Sequence, residues 1–134
     1  MIELKANIVR NDTQGEGHFG ASRGSRKHNG LDLLCLPGLP IYATDVLHFV
    51  RFARPYADKA INGGLWENPD GAKVKIFYCN PVTTVKTFFP GDIIAYCDNV
   101  ARFYNNKMMP HVHVQLYNEK NEIIDPTSKI RITD

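Results

Sequence analysis

Apolar and polar residues alternate without a break through Pro110-His111-Val112-His113-Val114-Gln115-Leu116-Tyr117. Val112, Val114 and Leu116 fall on one side; His111, His113, Gln115 and Tyr117 fall on the other. A period of two over this length predicts a half-buried strand. The run Leu31-Asp32-Leu33-Leu34-Cys35-Leu36 is almost wholly apolar and suits a strand buried on both faces. Residues 41–44, 46–53, 73–78, 83–87 and 93–97 read as further short strands, and residues 2–10 as an edge strand or an arm. Turn chemistry separates them at Pro37-Gly38-Leu39-Pro40, Asn80-Pro81, Pro90-Gly91-Asp92 and residues 118–121. Ile123-Ile124-Asp125-Pro126 closes the pattern. Residues 11–27, with Gly15, Gly17, Gly20 and Gly24, predict a mobile loop in which His18 faces solvent. Residues 54–72 predict a long loop with one helical turn near 56–61, and Trp66 in it is read as a lid on the core, with a groove wall as the alternative. Residues 99–109 form another loop. Helical periodicity is nearly absent, so the expected fold is all-β: an antiparallel sheet or sandwich in one domain over residues 1–134.

Composition changes this picture little. A chain of 134 residues can bury a core without disulfides or metals as staples. A net charge of +2 is too mild to argue for nucleic acid, and Arg23, Arg26 and Lys27 are explained by a solvated loop. No apolar run approaches the roughly 18–20 residues of a membrane span. The first residues lack the apolar stretch of a signal peptide, so the chain is expected to stay inside its cell, to leave by another route, or to have been trimmed. Cys35, Cys79 and Cys97 show no C-x-x-C spacing; buried free thiols are expected, with one disulfide at most.

Candidate chemistry lies in four residues. His111 and His113 share a strand face, about 6–7 Å apart along the backbone. Both rings could converge on one metal, or one could bind metal while the other serves as a base beside it. One packed and one solvated histidine is the plain alternative. Asp32 sits inside an apolar run, where an ionised carboxylate costs several kcal/mol unless paired or metal-bound. No Lys or Arg lies between it and Arg51. His28, four residues earlier, points to the same side if the segment is extended. A turn cap or a distant Arg partner is the alternative for Asp32. Together His28, Asp32, His111 and His113 suit zinc, which accepts imidazole nitrogen and carboxylate oxygen. His48, in an alternating stretch, is expected to be packed or partly buried and no ligand.

The pattern resembles the LytM/lysostaphin-type zinc metallopeptidases, which cut peptidoglycan peptides. Their first motif, His-x-x-x-Asp with Gly after the second residue, matches His28-Asn29-Gly30-Leu31-Asp32, and their His-x-His motif matches His111-Val112-His113. The resemblance implies an all-β LytM-type sheet with long loops around a zinc groove. It implies that His28, Asp32 and His113 hold zinc and that His111 acts beside the metal. Pro90-Gly91-Asp92 and Asp125-Pro126 resemble the family's Gly-Asp turn and closing Asn/Asp-Pro. Active members carry a further His in a Tyr-x-His-Leu segment. The matching segment is Tyr78-Cys79-Asn80-Pro81, which puts Asn80 where that His would be. An Asn can donate a hydrogen bond to an oxyanion but takes up no proton at neutral pH.

A closer resemblance is to the vertebrate leukocyte cell-derived chemotaxin branch of that fold. Residues 26–35, Asn62-Gly63-Gly64, residues 73–78 and Asp125-Pro126-Thr127 carry it. That branch keeps the zinc site and is regarded as secreted, disulfide-bearing and without peptidase activity. Cys35 matches a family Cys, but Val9 stands where its partner would be sought. Three functional readings follow. The first is a zinc metalloendopeptidase acting on peptidoglycan peptides, fitting a phage- or particle-borne lysin that meets other virion or cell-surface proteins. The loops 11–27, 54–72 and 98–109 would wall its groove. The second is a non-catalytic, zinc-stabilised binding or structural module. The third is a metal-free β domain with incidental histidines.

Overall fold

The strands follow the alternation of the chain. They are β1 (Ile2–Lys5), β2 (Asn11–Asp12), β3 (Gly15–Glu16), β4 (Ser22–Arg23), β5 (Arg26–Lys27), β6 (Leu31–Leu34), β7 (Pro40–Ala43) and β8 (Leu47–Phe52). After these come β9 (Gly63–Glu67), β10 (Lys73–Phe77), β11 (Cys79–Pro81), β12 (Thr87–Phe88), β13 (Ile93–Cys97), β14 (His111–Tyr117), β15 (Ile123–Ile124) and β16 (Ile130–Thr133). The computed structural model describes residues 1–6, 11–12, 15–16, 20, 22–23, 26–27, 29–55, 62–99 and 110–133, and no helix occurs among them. Nor, among the described residues, is any helix long and apolar enough to cross a membrane.

Two sheets make the body of the fold. One runs β11-β13-β7-β1-β16; the other runs β12-β8-β9-β10-β14-β15, with β6 also paired to β14. β6 and β15 share one edge of β14: β6 covers His111 to Val114 and β15 covers Leu116 and Tyr117. The pairing is antiparallel except between β1 and β16. Ile2, Leu4, Ile41 and Ile94 of the first sheet join Leu31, Leu33, Trp66, Ile76, Val112, Val114 and Leu116 of the second in one hydrophobic core. Each such side chain contributes about 1.5–3 kcal/mol on burial, and this fixes the register, since a slip of one residue would turn the apolar set outward.

Several expectations are corrected. Gly63 and Gly64 do not mark a loop; they begin β9, a strand inside the sheet. A Cβ on Gly63 would lie 2.3 Å from the Ile76 carbonyl oxygen, and one on Gly64 would lie 2.5 Å from the Trp66 ring. These glycines serve close packing, and Trp66 is fully buried core. Asn80-Pro81 is no turn but part of β11. The chain turns at Tyr78, whose φ is +69°. β1 lies between β7 and β16 and is no edge strand. β16, unforeseen in the sequence, supplies its second neighbour. His48 is exposed near the sheet rim, with Nδ1 3.3 Å from Thr87 Oγ1. Of residues 83–87 only Thr87 is in a strand, and β14 is covered on both faces, since its polar side also packs. Within residues 11–27 the backbone forms two short ladders, β2–β3 and β4–β5. The turns at Pro90-Gly91-Asp92 and residues 118–121 form as expected, with Phe89 N donating to Asp92 Oδ2 at 2.8 Å and Asn118 N to Glu122 O at 2.9 Å. The helical turn near 56–61, His18 and most of the 99–109 loop lie outside the described residues.

Cys35, Cys79 and Cys97 are buried free thiols. Cys79 and Cys97 are cross-strand partners. A hydrogen bond with Cys97, then burial, pushes the Cys35 thiol up from its ordinary range. Burial, then Cys97 and Asp98, does the same to Cys79. A thiol whose folded pKa exceeds its unfolded value keeps its proton longer in the fold. Its stabilisation is complete below the unfolded value of about 8.5 and is lost as pH rises above it. The unfolding free energy should therefore fall above that pH, by about 1.4 kcal/mol per pH unit for each thiol. Cys79→Ala should remove one thiol's share of that slope; an unchanged slope refutes the assignment.

Candidate metal centre

The register between β6 and β14 sets Asp32 directly opposite His113, and Leu34 opposite His111. Partners in a strand pair project to the same face, so the carboxylate and both imidazoles share one side of the sheet. Asp32 Oδ1 lies 2.8 Å from His113 Nδ1. Asp32 and His111 are each only 2% exposed. A carboxylate this deep in an apolar strand requires compensation, and the imidazole supplies part of it.

Three neighbours fix the rings. Phe77, opposite His113 on β10, stacks on it with centroids 5.7 Å apart and planes 17° apart. Tyr78 meets the His111 ring edge-on at 4.9 Å. Its left-handed backbone is uncommon for a bulky residue and costs on the order of 1–2 kcal/mol, and it turns the chain from one sheet into the other at the site. The third neighbour is Gly30, buried just before β6. A Cβ there would lie 2.4 Å from the Val114 carbonyl oxygen and 2.7 Å from His113 Nε2. Only a glycine lets the backbone pass so close under the imidazole.

The structure thus brings Asp32, His111 and His113 onto one face. His28 lies outside the described residues; Asn29 and Gly30 lead from it into the site. Asn80 is exposed on β11, paired with Tyr96 of β13 in the sheet that does not hold the histidines, and its side chain makes no hydrogen bond among the described residues. The ring that meets His111 belongs to Tyr78. Sequence reasoning missed Phe77, Tyr78 and Gly30 as site residues. Gly30 had a signal, its place between the two motif residues; Phe77 and Tyr78 follow only once the β10–β14 register is known.

Among the described residues no group of three His, Cys, Asp or Glu is gathered to hold a metal ion. The donor chemistry nevertheless suits zinc: a buried carboxylate oxygen and an imidazole nitrogen turned toward each other, over a glycine cradle that a Cβ would fill.

No family model matches the chain. Leukocyte cell-derived chemotaxin-2 of Mus musculus is 33% identical over 125 residues, spanning 92% of this chain and 80% of that protein. A zinc-containing peptidase from Vibrio cholerae superposes with a TM-score of 0.65 at 19% identity, covering 91% of this chain and 36% of that one. The catalytic domain of the antimicrobial peptidase lysostaphin from Staphylococcus simulans gives 0.63 at 19% identity, covering 86% of this chain and 89% of that one. These two structures share the fold, the LytM-type β-sheet arrangement. With 33% identity across nearly its whole length and this peptidase-like fold, the chain belongs to the leukocyte cell-derived chemotaxin-2 family.

Proposed function

We propose that the chain is a zinc-binding metalloendopeptidase-like domain acting on peptidoglycan peptides. The observation that carries this reading is the 2.8 Å approach of Asp32 Oδ1 to His113 Nδ1 on the face that also holds His111. His28, Asp32 and His113 would hold the ion. Lewis-acid polarisation of a peptide carbonyl is the chemistry zinc supplies when bound. The chain's own residues do the rest. An unprotonated nitrogen of His111 takes the proton of an attacking water and passes it to the leaving amine as the C–N bond breaks. Tyr78 holds the His111 ring edge-on, and Phe77 and Asp32 hold that of His113.

A second reading is a non-catalytic, zinc-stabilised binding module. The exposure of Asn80 favours it, because the amide that stands for the family's further His makes no hydrogen bond among the described residues.

Release of soluble muropeptides from cell walls, with zinc content measured alongside, separates the two. The parent should release fragments, and His111→Ala should do so about 10²–10⁴-fold more slowly with zinc retained. Equal silence of both proteins at one zinc per chain ends the peptidase reading and leaves the binding module.

A further inference from the structure

The face that carries the two histidines continues past them along the sheet. β10 and β14 pair Phe77 with His113, then Lys75 with Gln115, then Lys73 with Tyr117. Lys75 therefore lies one same-face position beyond Phe77, about 7 Å along the strand from the row of Asp32 and His113. Its Nζ sits 5.8 Å from the Phe77 ring centre and 5.4 Å from that of Tyr117. Two rings steady the ammonium without cancelling its charge. Among the described residues Lys75 has no carboxylate partner. Lys73, one row on, is different: its Nζ donates to Asn121 Oδ1 at 2.8 Å and to Gly71 O at 3.4 Å.

Gln115 is the second observation. It is only 8% exposed. Its Nε2 donates to the Tyr117 hydroxyl at 3.4 Å, while its carbonyl Oε1 accepts no hydrogen bond among the described residues. An amide oxygen left open to solvent beside a cation with no acid partner suits a ligand that carries both an anion and an N–H. Across the strand from Lys75 stands Leu65, and beyond it exposed Arg51, so the row carries positive charge and no acid.

We infer that Lys75, Gln115 and Tyr117 form a carboxylate subsite beside the His111–His113 centre, taking peptides that end in a free C-terminal carboxylate. The inference rests on the reading of this face as a peptide groove. A C-terminal residue offers both groups together, its carboxylate lying within a few ångströms of its own amide N–H. Lys75 holds the carboxylate, Gln115 Oε1 accepts the N–H, and Phe77 forms the wall toward the metal centre.

Two probes test it: dansyl-tetraglycine with a free C-terminal carboxylate, and the same peptide as its C-terminal amide. Binding is read by fluorescence anisotropy on the zinc-loaded protein, with probe integrity checked by mass spectrometry. The acid should bind about tenfold more tightly than the amide, the scale of one charge-assisted hydrogen bond. That ratio should fall to near one in Lys75→Gln, invert in Lys75→Glu, survive in Lys75→Arg and Lys73→Gln, and shrink at high salt. Equal binding of the two probes by the parent, no binding of either at millimolar concentration, or a ratio that survives Lys75→Gln each overturns the subsite. Zinc content and muropeptide release report separately on the metal centre. If those fail while the acid preference persists, the peptidase reading falls and the subsite stands.

Discussion

Gly30→Ala is expected to destabilise the fold by about 3 kcal/mol and to lower the melting temperature by on the order of 10 °C. The added Cβ would sit 2.4 Å from the Val114 carbonyl oxygen and 2.7 Å from His113 Nε2. Neither neighbour can retreat cheaply. Val114 lies in a strand paired on both sides, to Ile76 and to Leu31. His113 is held by Asp32 on one side and by Phe77 on the other. Relief must come from bending β6 away from β14, which pulls Asp32 from His113. Zinc affinity should fall together with stability. A variant that melts within about 2 °C of the parent and binds zinc equally would show that the close approach is not real, since overpacking typically costs 1–3 kcal/mol.

Asp32→Asn should separate metal binding from folding. In the metal-free protein the change removes a buried charge while keeping the shape of the side chain, so stability should hold or rise. In the parent, zinc at a thousandfold excess over its dissociation constant adds about 4 kcal/mol, a rise of roughly 10 °C in melting temperature. On the proposed reading the variant lacks one of the residues that would hold the ion. Removing an outer-shell partner alone costs 10–100-fold in affinity, so the loss here should exceed about a hundredfold, and most of the zinc-induced rise should vanish. Thermal scans of both proteins with and without zinc check this. An undiminished rise in Asp32→Asn would remove the carboxylate from the metal site.

What the sequence made legible depended on how local the cause was. β10 and β14 were readable because their alternation is their cause: each sets its apolar residues toward the core. Asp32 was readable because a carboxylate among leucines is an anomaly that names its own need. β9 was misread because Gly63-Gly64 carries the composition of a turn, while its cause is the carbonyl of Ile76 and the ring of Trp66, contacts made across the sheet. His48 was misread because alternation cannot tell the covered part of a strand from its rim. Tyr78 stood in the segment matched to Tyr-x-His-Leu, but its contact with His111 was silent for the same kind of reason. Its place against His111 is set by the β10–β14 register and by a left-handed turn that no local residue preference announces. His28 was singled out on spacing and lies outside the described residues.

The side-by-side run of β1 and β16 ties Ile2 to Ile130 and Leu4 to Ile132. Such a ladder can zip only after almost the whole intervening chain has been synthesised. The entropy of closing so long a loop grows only as the logarithm of its length, so the delay weighs on folding rate far more than on final stability. Until then Ile2 and Leu4 wait with one flank bare, and the nascent protein spends its most aggregation-prone interval with a greasy strand unpartnered.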